Sequence, residues 1–178
     1  EISLGLVGSE MCIRDRGDWE AVCADMNLRP VEGVDGSAPR ERIAGVLAKY
    51  GITAEAVTLW GTGKPLREFL WSEEMADASV HVMERVDFAD LRGTGPQVRN
   101  CHINIGTGEE ISIGNLARLI VATVGYRGEL RFDASKPDGT PRKLCDVTRL
   151  HNLGWHHRIG IEEGVGKLYD WYRTSIGR

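Results

Sequence analysis

Two short loops carry the residue types that could grip an anionic ligand. The first is Trp60-Gly61-Thr62-Gly63-Lys64-Pro65-Leu66-Arg67-Glu68-Phe69. A glycine turn lets backbone approach a ligand closely, an aromatic ring can stack on a base, and Arg67 offers a planar fork for phosphate oxygens. The second is Lys136-Pro137-Asp138-Gly139-Thr140-Pro141-Arg142-Lys143, a Pro/Gly-stiffened loop with three cations and one carboxylate. Such a loop can meet a diphosphate or sugar hydroxyls at low ordering cost. Either loop alone reads more readily as a solvated basic surface. Together they point to an anionic, hydroxyl-rich ligand.

Other chemistries find less support. The triplets Gly61–Gly63, Gly93–Gly95 and Gly106–Gly108 all lack a Gly or Ala three residues after the second glycine. The dinucleotide fingerprint needs that small residue for helix–strand packing, so the triplets read as turns. Tyr50, Tyr126, Tyr169 and Tyr172 have no Lys at i+4. A short-chain reductase uses that Lys to lower the tyrosine pKa for proton donation. Cys12, Cys23, Cys101 and Cys145 are scattered, with no CxxC spacing for zinc, and read as free thiols of a reducing cytoplasm. His156-His157 reads as a surface pair, and His102 as a strand residue beside Cys101.

The elements that must position the loops alternate. Gly17 to Asn27 reads as the end of a helix, followed by turn chemistry over 29–37. A helix capped by Ser37, with Pro39 in its first turn, should carry Ile43, Val46, Leu47 and Tyr50 inward and close at Gly51. Val57 to Trp60 is a strand, and Arg67 to Trp71 a second extended piece. Ser72 should cap a helix with Glu73 and Glu74 at its positive end and Met75, Ala76, Ser79, Val80 and Met83 along one face. Residues 86–100 read as a polar link and His102–Ile105 as a strand. Ser112 caps the clearest amphipathic helix, Ile113 to Val124, with Gly125 as its stop. Leu130–Phe132 is a strand. Helical segments follow around Asp146–Leu153 and at the end, the last with Val165, Leu168, Tyr169 and Tyr172 inward. Trp155 and Trp171 read as core. The pattern is α/β, with strands too few and short for a doubly wound sheet of their own.

The 178 residues suffice for one domain with a real core, and 42% apolar with 27% charged residues is ordinary for a globular protein. A net charge of −4 argues against a nucleic-acid binder, and no apolar run reaches the roughly 18 residues of a membrane span. Leu6 to Asp15 resembles one reading frame of a sequencing adapter, and residues 1–16 are expected to lie outside the fold.

Trp60 to Glu84 (WGTGKPLREFLWSEEMADASVHVME), His102 to Gly108 (HINIGTG) and Phe132 to Trp155 (FDASKPDGTPRKLCDVTRLHNLGW) resemble the GDP-L-fucose synthases, extended short-chain dehydrogenase/reductases. The likeness runs from about Gly17 to the end, with 28–56 similar to an insertion in one branch. It implies that 17–178 form the C-terminal substrate-binding region of an NADP-dependent, cytoplasmic, homodimeric enzyme. That enzyme would epimerise and reduce GDP-4-keto-6-deoxy-mannose, with most of its Rossmann sheet and all its catalytic residues outside this chain. Arg67 would hold the diphosphate with support from Lys143, Asp138 would accept hydrogen bonds from ligand hydroxyls, and Trp60 would pack near the nucleotide. No cysteine here matches the family's catalytic one. The chain alone should be inactive, with apolar faces of the Ser72 helix and of His102–Ile105 left bare. A different nucleotide-sugar epimerase or dehydratase, or a stand-alone GDP-sugar binding module, remain as rival readings.

Overall fold

The computed structural model describes residues 17–93 and 97–175. The segment 1–16, expected above to be foreign to the fold, and part of the Gly93–Gly95 triplet lie outside the described residues.

The first two helices make a small core of their own. Helix α1 (Trp19–Leu28) is capped by Asp18, whose side chain accepts from the Ala21 amide at 3.0 Å. Its Val22 and Met26 pack on Val31, Val34 and Ile52, and on Ile43 and Leu47 of helix α2 (Arg40–Lys49). The segment 28–56 thus supplies most of this core. Ser37 does not cap α2. Its amide and hydroxyl both donate to Asp35, at 2.9 and 2.6 Å, and Pro39 takes the cap position without a side-chain bond. A carboxylate two residues back outcompeted the helix for the serine.

Strand β1 (Ala56–Trp60) and a later strand, Glu129–Asp133, pair in parallel with Trp60 opposite Asp133. Between β1 and that partner come a short strand β2 (Leu66–Arg67), helix α3 (Ser72–Arg85), a one-turn helix α4 (Phe88–Leu91) and a short strand β3 (Ile111–Ser112). Helix α5 (Ile113–Val124) leads into Glu129–Asp133, here β4. Ser112 caps α5 by accepting from the Asn115 amide at 3.1 Å, and Gly125 ends it in the left-handed region at φ 70°. Strand β5 (Arg142–Lys143), helix α6 (Thr148–Asn152) and helix α7 (Ile161–Ser175) complete the chain. Val57 of β1, Val124 and Tyr126 form a second core cluster with Ile120, Val121 and Tyr169 against it. The alternation expected of an α/β protein is present, in two small sheets.

Several faces differ from expectation. On α7, Tyr169 packs against the second cluster and Val165 and Tyr172 are half-buried, whereas Leu168 and Trp171 are exposed, Trp171 at 54%. On α3, the face of Met75, Val80 and Met83 points outward, Met83 at 83% exposure, while Ala78 and the carboxylate residue Glu74 are buried. Trp71, not Ser72, is the α3 N-cap, and no side chain bonds to this helix end. The polar link contains α4, closed by a capping box between Asp87 and Asp90. Among the described residues His102–Ile105 has no ladder partner. Its isoleucines instead pack on the third cluster, Ala78, Leu150 and Trp155, and so are not bare.

Candidate functional site

The second sheet assembles both loops. β2 lies in its centre, antiparallel to β3 and parallel to β5, with Leu66 opposite Arg142 and Arg67 opposite Lys143. Residues in register on neighbouring strands present side chains to the same face, so Arg67 and Lys143 stand side by side. The Leu66 amide donates to the Pro141 carbonyl at 2.8 Å, extending the seam between the loops. Arg67 Nη1 donates to the Leu66 carbonyl at 2.6 Å, and a Cβ at Gly139 would sit 3.1 Å from Arg67 Nη2. The guanidinium therefore lies against the second loop. Two cations drawn together by a ladder, far apart in sequence, suit a polyanion.

Asp138 closes the same seam. Its Oδ1 accepts from the Thr62 amide at 2.7 Å and its Oδ2 from the Thr62 hydroxyl at 2.6 Å. Those two bonds, hydroxyl first and amide second, hold its pKa below the ordinary carboxylate value. The residue expected to meet ligand hydroxyls is thus first a tether between loops; an ionised carboxylate keeps lone pairs beyond these two. The glycine turn likewise approaches its own chain. A Cβ at Gly61 would lie 2.4 Å from Asp138 Oδ1, and one at Gly63 would lie 2.5 Å from Phe132 Cε1. Trp60 ends β1 with 64% of its surface exposed, and Lys136 Nζ sits 5.4 Å from the ring centroid. An exposed aromatic ring with a cation over it suits a base stacked on its other side.

One residue inside the first motif went without a role. Glu68 Oε1 accepts from the Thr107 and Gly108 amides, each at 2.7 Å, and from the Thr107 hydroxyl at 3.3 Å. Its Oε2 accepts from the Cys145 amide at 2.9 Å. Partial burial works to raise its pKa, but the bonds from Gly108, Cys145 and Thr107 outweigh that and the net direction is downward. The same contact pushes the Cys145 thiol up, first by its bond to Glu68, then by burial, which keeps it protonated and unreactive. No feature of the sequence separates Glu68 from a solvated carboxylate, because its partners lie far along the chain.

A cleft opens beside this sheet, with Arg67, Phe69, Thr107, Glu110, His157 and Ile161 among its lining. Of the four residues singled out in sequence, only Arg67 reaches it. Glu110 binds Arg142 at 2.7 Å, turning one loop cation aside. His157 Nε2 lies 3.9 Å from Glu109 Oε1, so this histidine, read as a surface residue, has a loose carboxylate neighbour and is half-buried. His156 is exposed and stacks on His151 at 4.2 Å between centroids. Among the described residues no group of three metal-ligating side chains gathers, and no helix is long and apolar enough to cross a membrane.

Neither Gly61–Gly63 nor Gly106–Gly108 fits a dinucleotide phosphate. At Gly106–Gly108 the Thr107 and Gly108 amides that could face one are bonded to Glu68, and a Cβ at Gly106 would meet Glu68 Oε1 at 2.4 Å. At Gly61–Gly63 the Thr62 amide is held by Asp138. Those backbone donors serve internal carboxylates, so no step through a nicotinamide cofactor follows from these turns.

Comparison with known proteins extends the likeness. A GDP-L-fucose synthase of Escherichia coli K12 is 53% identical over 125 residues, covering 70% of this chain and 38% of that protein. Among solved structures, a GDP-6-OMe-4-keto-L-xylo-heptose reductase from Campylobacter jejuni superposes with a TM-score of 0.82 at 34% identity, over 96% of this chain and 46% of its own. A GDP-mannoheptose C4 reductase from C. jejuni, solved with NADP bound, gives a TM-score of 0.75 at 32% identity, over 95% and 45%. The chain therefore spans a little over a third of the E. coli protein and under half of the two reductases. The model of the NAD dependent epimerase/dehydratase family matches residues 8–106. On that match and these likenesses, the chain belongs to the NAD dependent epimerase/dehydratase family.

Proposed function

We propose that this chain is the GDP-sugar-binding part of a GDP-L-fucose synthase, the enzyme that converts GDP-4-keto-6-deoxy-mannose to GDP-L-fucose with NADPH. The observation that carries the reading is the β2–β5 ladder, which sets Arg67 beside Lys143 while Asp138 and Thr62 lock the two loops together. In this reading Arg67 and Lys143 neutralise the diphosphate, and Trp60 packs on the nucleotide. Asp138 orders the loops and offers its remaining lone pairs to ligand hydroxyls. Residues 17–178 make up this region, with 28–56 a branch-specific insertion. Proton and hydride transfer fall to residues elsewhere in a cytoplasmic, homodimeric enzyme. The chain alone binds the GDP moiety and does not turn over.

A charge-assisted hydrogen bond contributes roughly 1.5–3 kcal/mol. Arg67→Ala in the full-length enzyme that carries this region should therefore raise KM roughly 10–150-fold. An unchanged KM rejects the assignment. A second reading, reduction of a GDP-4-keto-heptose, is favoured by one observation: the C. jejuni heptose reductase matches 96% of the chain, including the α1–α2 core. NADPH oxidation by the full-length enzyme, measured with each ketosugar nucleotide, separates the two. Preference for the heptose would replace the fucose assignment.

A further inference from the structure

We propose that Glu68 is the positioning residue of the anion site, a carboxylate that holds Arg67 and Lys143 at the spacing a diphosphate needs without touching the ligand itself. The inference rests on the function proposed above. Glu68 directly follows Arg67 at the end of β2, so whatever fixes its side chain fixes the exit of that strand. Its Oε1 takes the Thr107 and Gly108 amides, and its Oε2 takes the Cys145 amide, two residues beyond Lys143. One carboxylate thus joins the strand bearing Arg67, the turn at 106–108 and the loop just past Lys143.

The geometry is tight on both oxygens. Gly106 packs so closely that a Cβ would stand 2.4 Å from Oε1, so the carboxylate can occupy this position only because residue 106 is a glycine. The ladder between β2 and β5 is only two residues long, so by itself it constrains the cations weakly. Ion pairing does not supply the missing constraint. Among the ion pairs of the described residues, Arg142 with Glu110 borders this seam and involves neither Arg67 nor Lys143, whose placing is left to the Asp138–Thr62 bonds at one end and to Glu68 at the other. A bidentate acceptor is required here: replacing it with an amide would turn an NH₂ donor toward at least one amide N–H, breaking one arm of the clasp.

The test is a double-mutant cycle on the 178-residue chain, read by calorimetric titration with GDP at a temperature where circular dichroism shows every variant folded. Glu68→Gln should weaken GDP binding about tenfold. In an Arg67→Ala/Lys143→Ala background the same change should have less than about a twofold effect, because a residue that acts through the cations has nothing left to position. Gly106→Ala, which displaces the carboxylate without altering a charge, should reproduce the loss and serves if Glu68→Gln does not fold. A purely structural glutamate would lower the melting temperature yet leave the affinity of the folded chain unchanged, or weaken it equally in both backgrounds. Either result overturns the positioning role alone. Wild-type chain that does not bind GDP at all overturns the functional reading, and the positioning role falls with it.

Discussion

Glu74 joins the start of α3 to the segment before α7, and breaking that joint should cost more than any surface substitution. The residue is 3% exposed, and its Oε1 accepts from the Arg158 amide at 2.5 Å and from the Ile159 amide at 3.2 Å. Oε2 takes a second bond from Ile159 at 3.2 Å. The Arg158 guanidinium is 3.9 Å away and largely solvated, so it adds little. Glu74→Ala removes the acceptor and strands two backbone donors in a partly buried seam. At roughly 1–3 kcal/mol for each unsatisfied group, partly relieved by entering water, the net loss should be about 3 kcal/mol. Glu74→Gln keeps the shape and one acceptor oxygen, and should cost about 1 kcal/mol. Urea unfolding followed by circular dichroism measures both, and a 3 kcal/mol loss corresponds to a fall in Tm of about 6–12 °C for a chain of this size. A loss below about 1 kcal/mol for the alanine variant would refute the reasoning, since the amides would then have found water or other partners at no expense.

Two further outcomes follow from the same contacts. Glu68 has a folded-state pKa below the ordinary 4.5, so its stabilisation is present in full above that value and disappears as pH falls through the lower folded value. Acid titration of the chain should therefore show a stability loss confined to below about pH 4.5, and Glu68→Gln should flatten that limb. Met83→Lys on the bare face of α3 should leave unfolding free energy within about 0.5 kcal/mol and reduce self-association seen by light scattering; unchanged association would show that this face is not the sticky one.

Local signals were legible in the sequence and long-range ones were not. The serine at 112, the periodic apolar positions of α5 and the glycine at 125 all act within one helix, and the structure realises each of them. β1 and β4 were visible as strands, but their parallel pairing was not, because nothing local encodes a partner as distant in sequence as Glu129 is from Ala56. Serines misled where a nearer group competed: Ser37 turned to Asp35, and at α3 the backbone entered the helix one residue early. Helix faces were misjudged on α3 and α7 because periodicity gives a stripe but not which side meets a neighbour. Trp60, Arg67, Asp138 and Lys143 were singled out through the two loop motifs and the family likeness, and the ladder brings Arg67 to Lys143. The bonding roles of Glu68 and Glu74 went unread, Glu74 being expected only to favour the helix dipole, since a carboxylate that collects backbone amides from distant turns looks, residue by residue, like any solvated acid.

The most direct measurement compares GDP with guanosine on the purified 178-residue chain by calorimetric titration across a range of salt. If Arg67 and Lys143 grip a diphosphate, GDP should bind at least about tenfold tighter than guanosine, the difference should shrink as salt rises, and Arg67→Ala/Lys143→Ala should abolish it. Equal affinity for the two ligands, or a GDP preference that survives loss of both cations, would contradict the account.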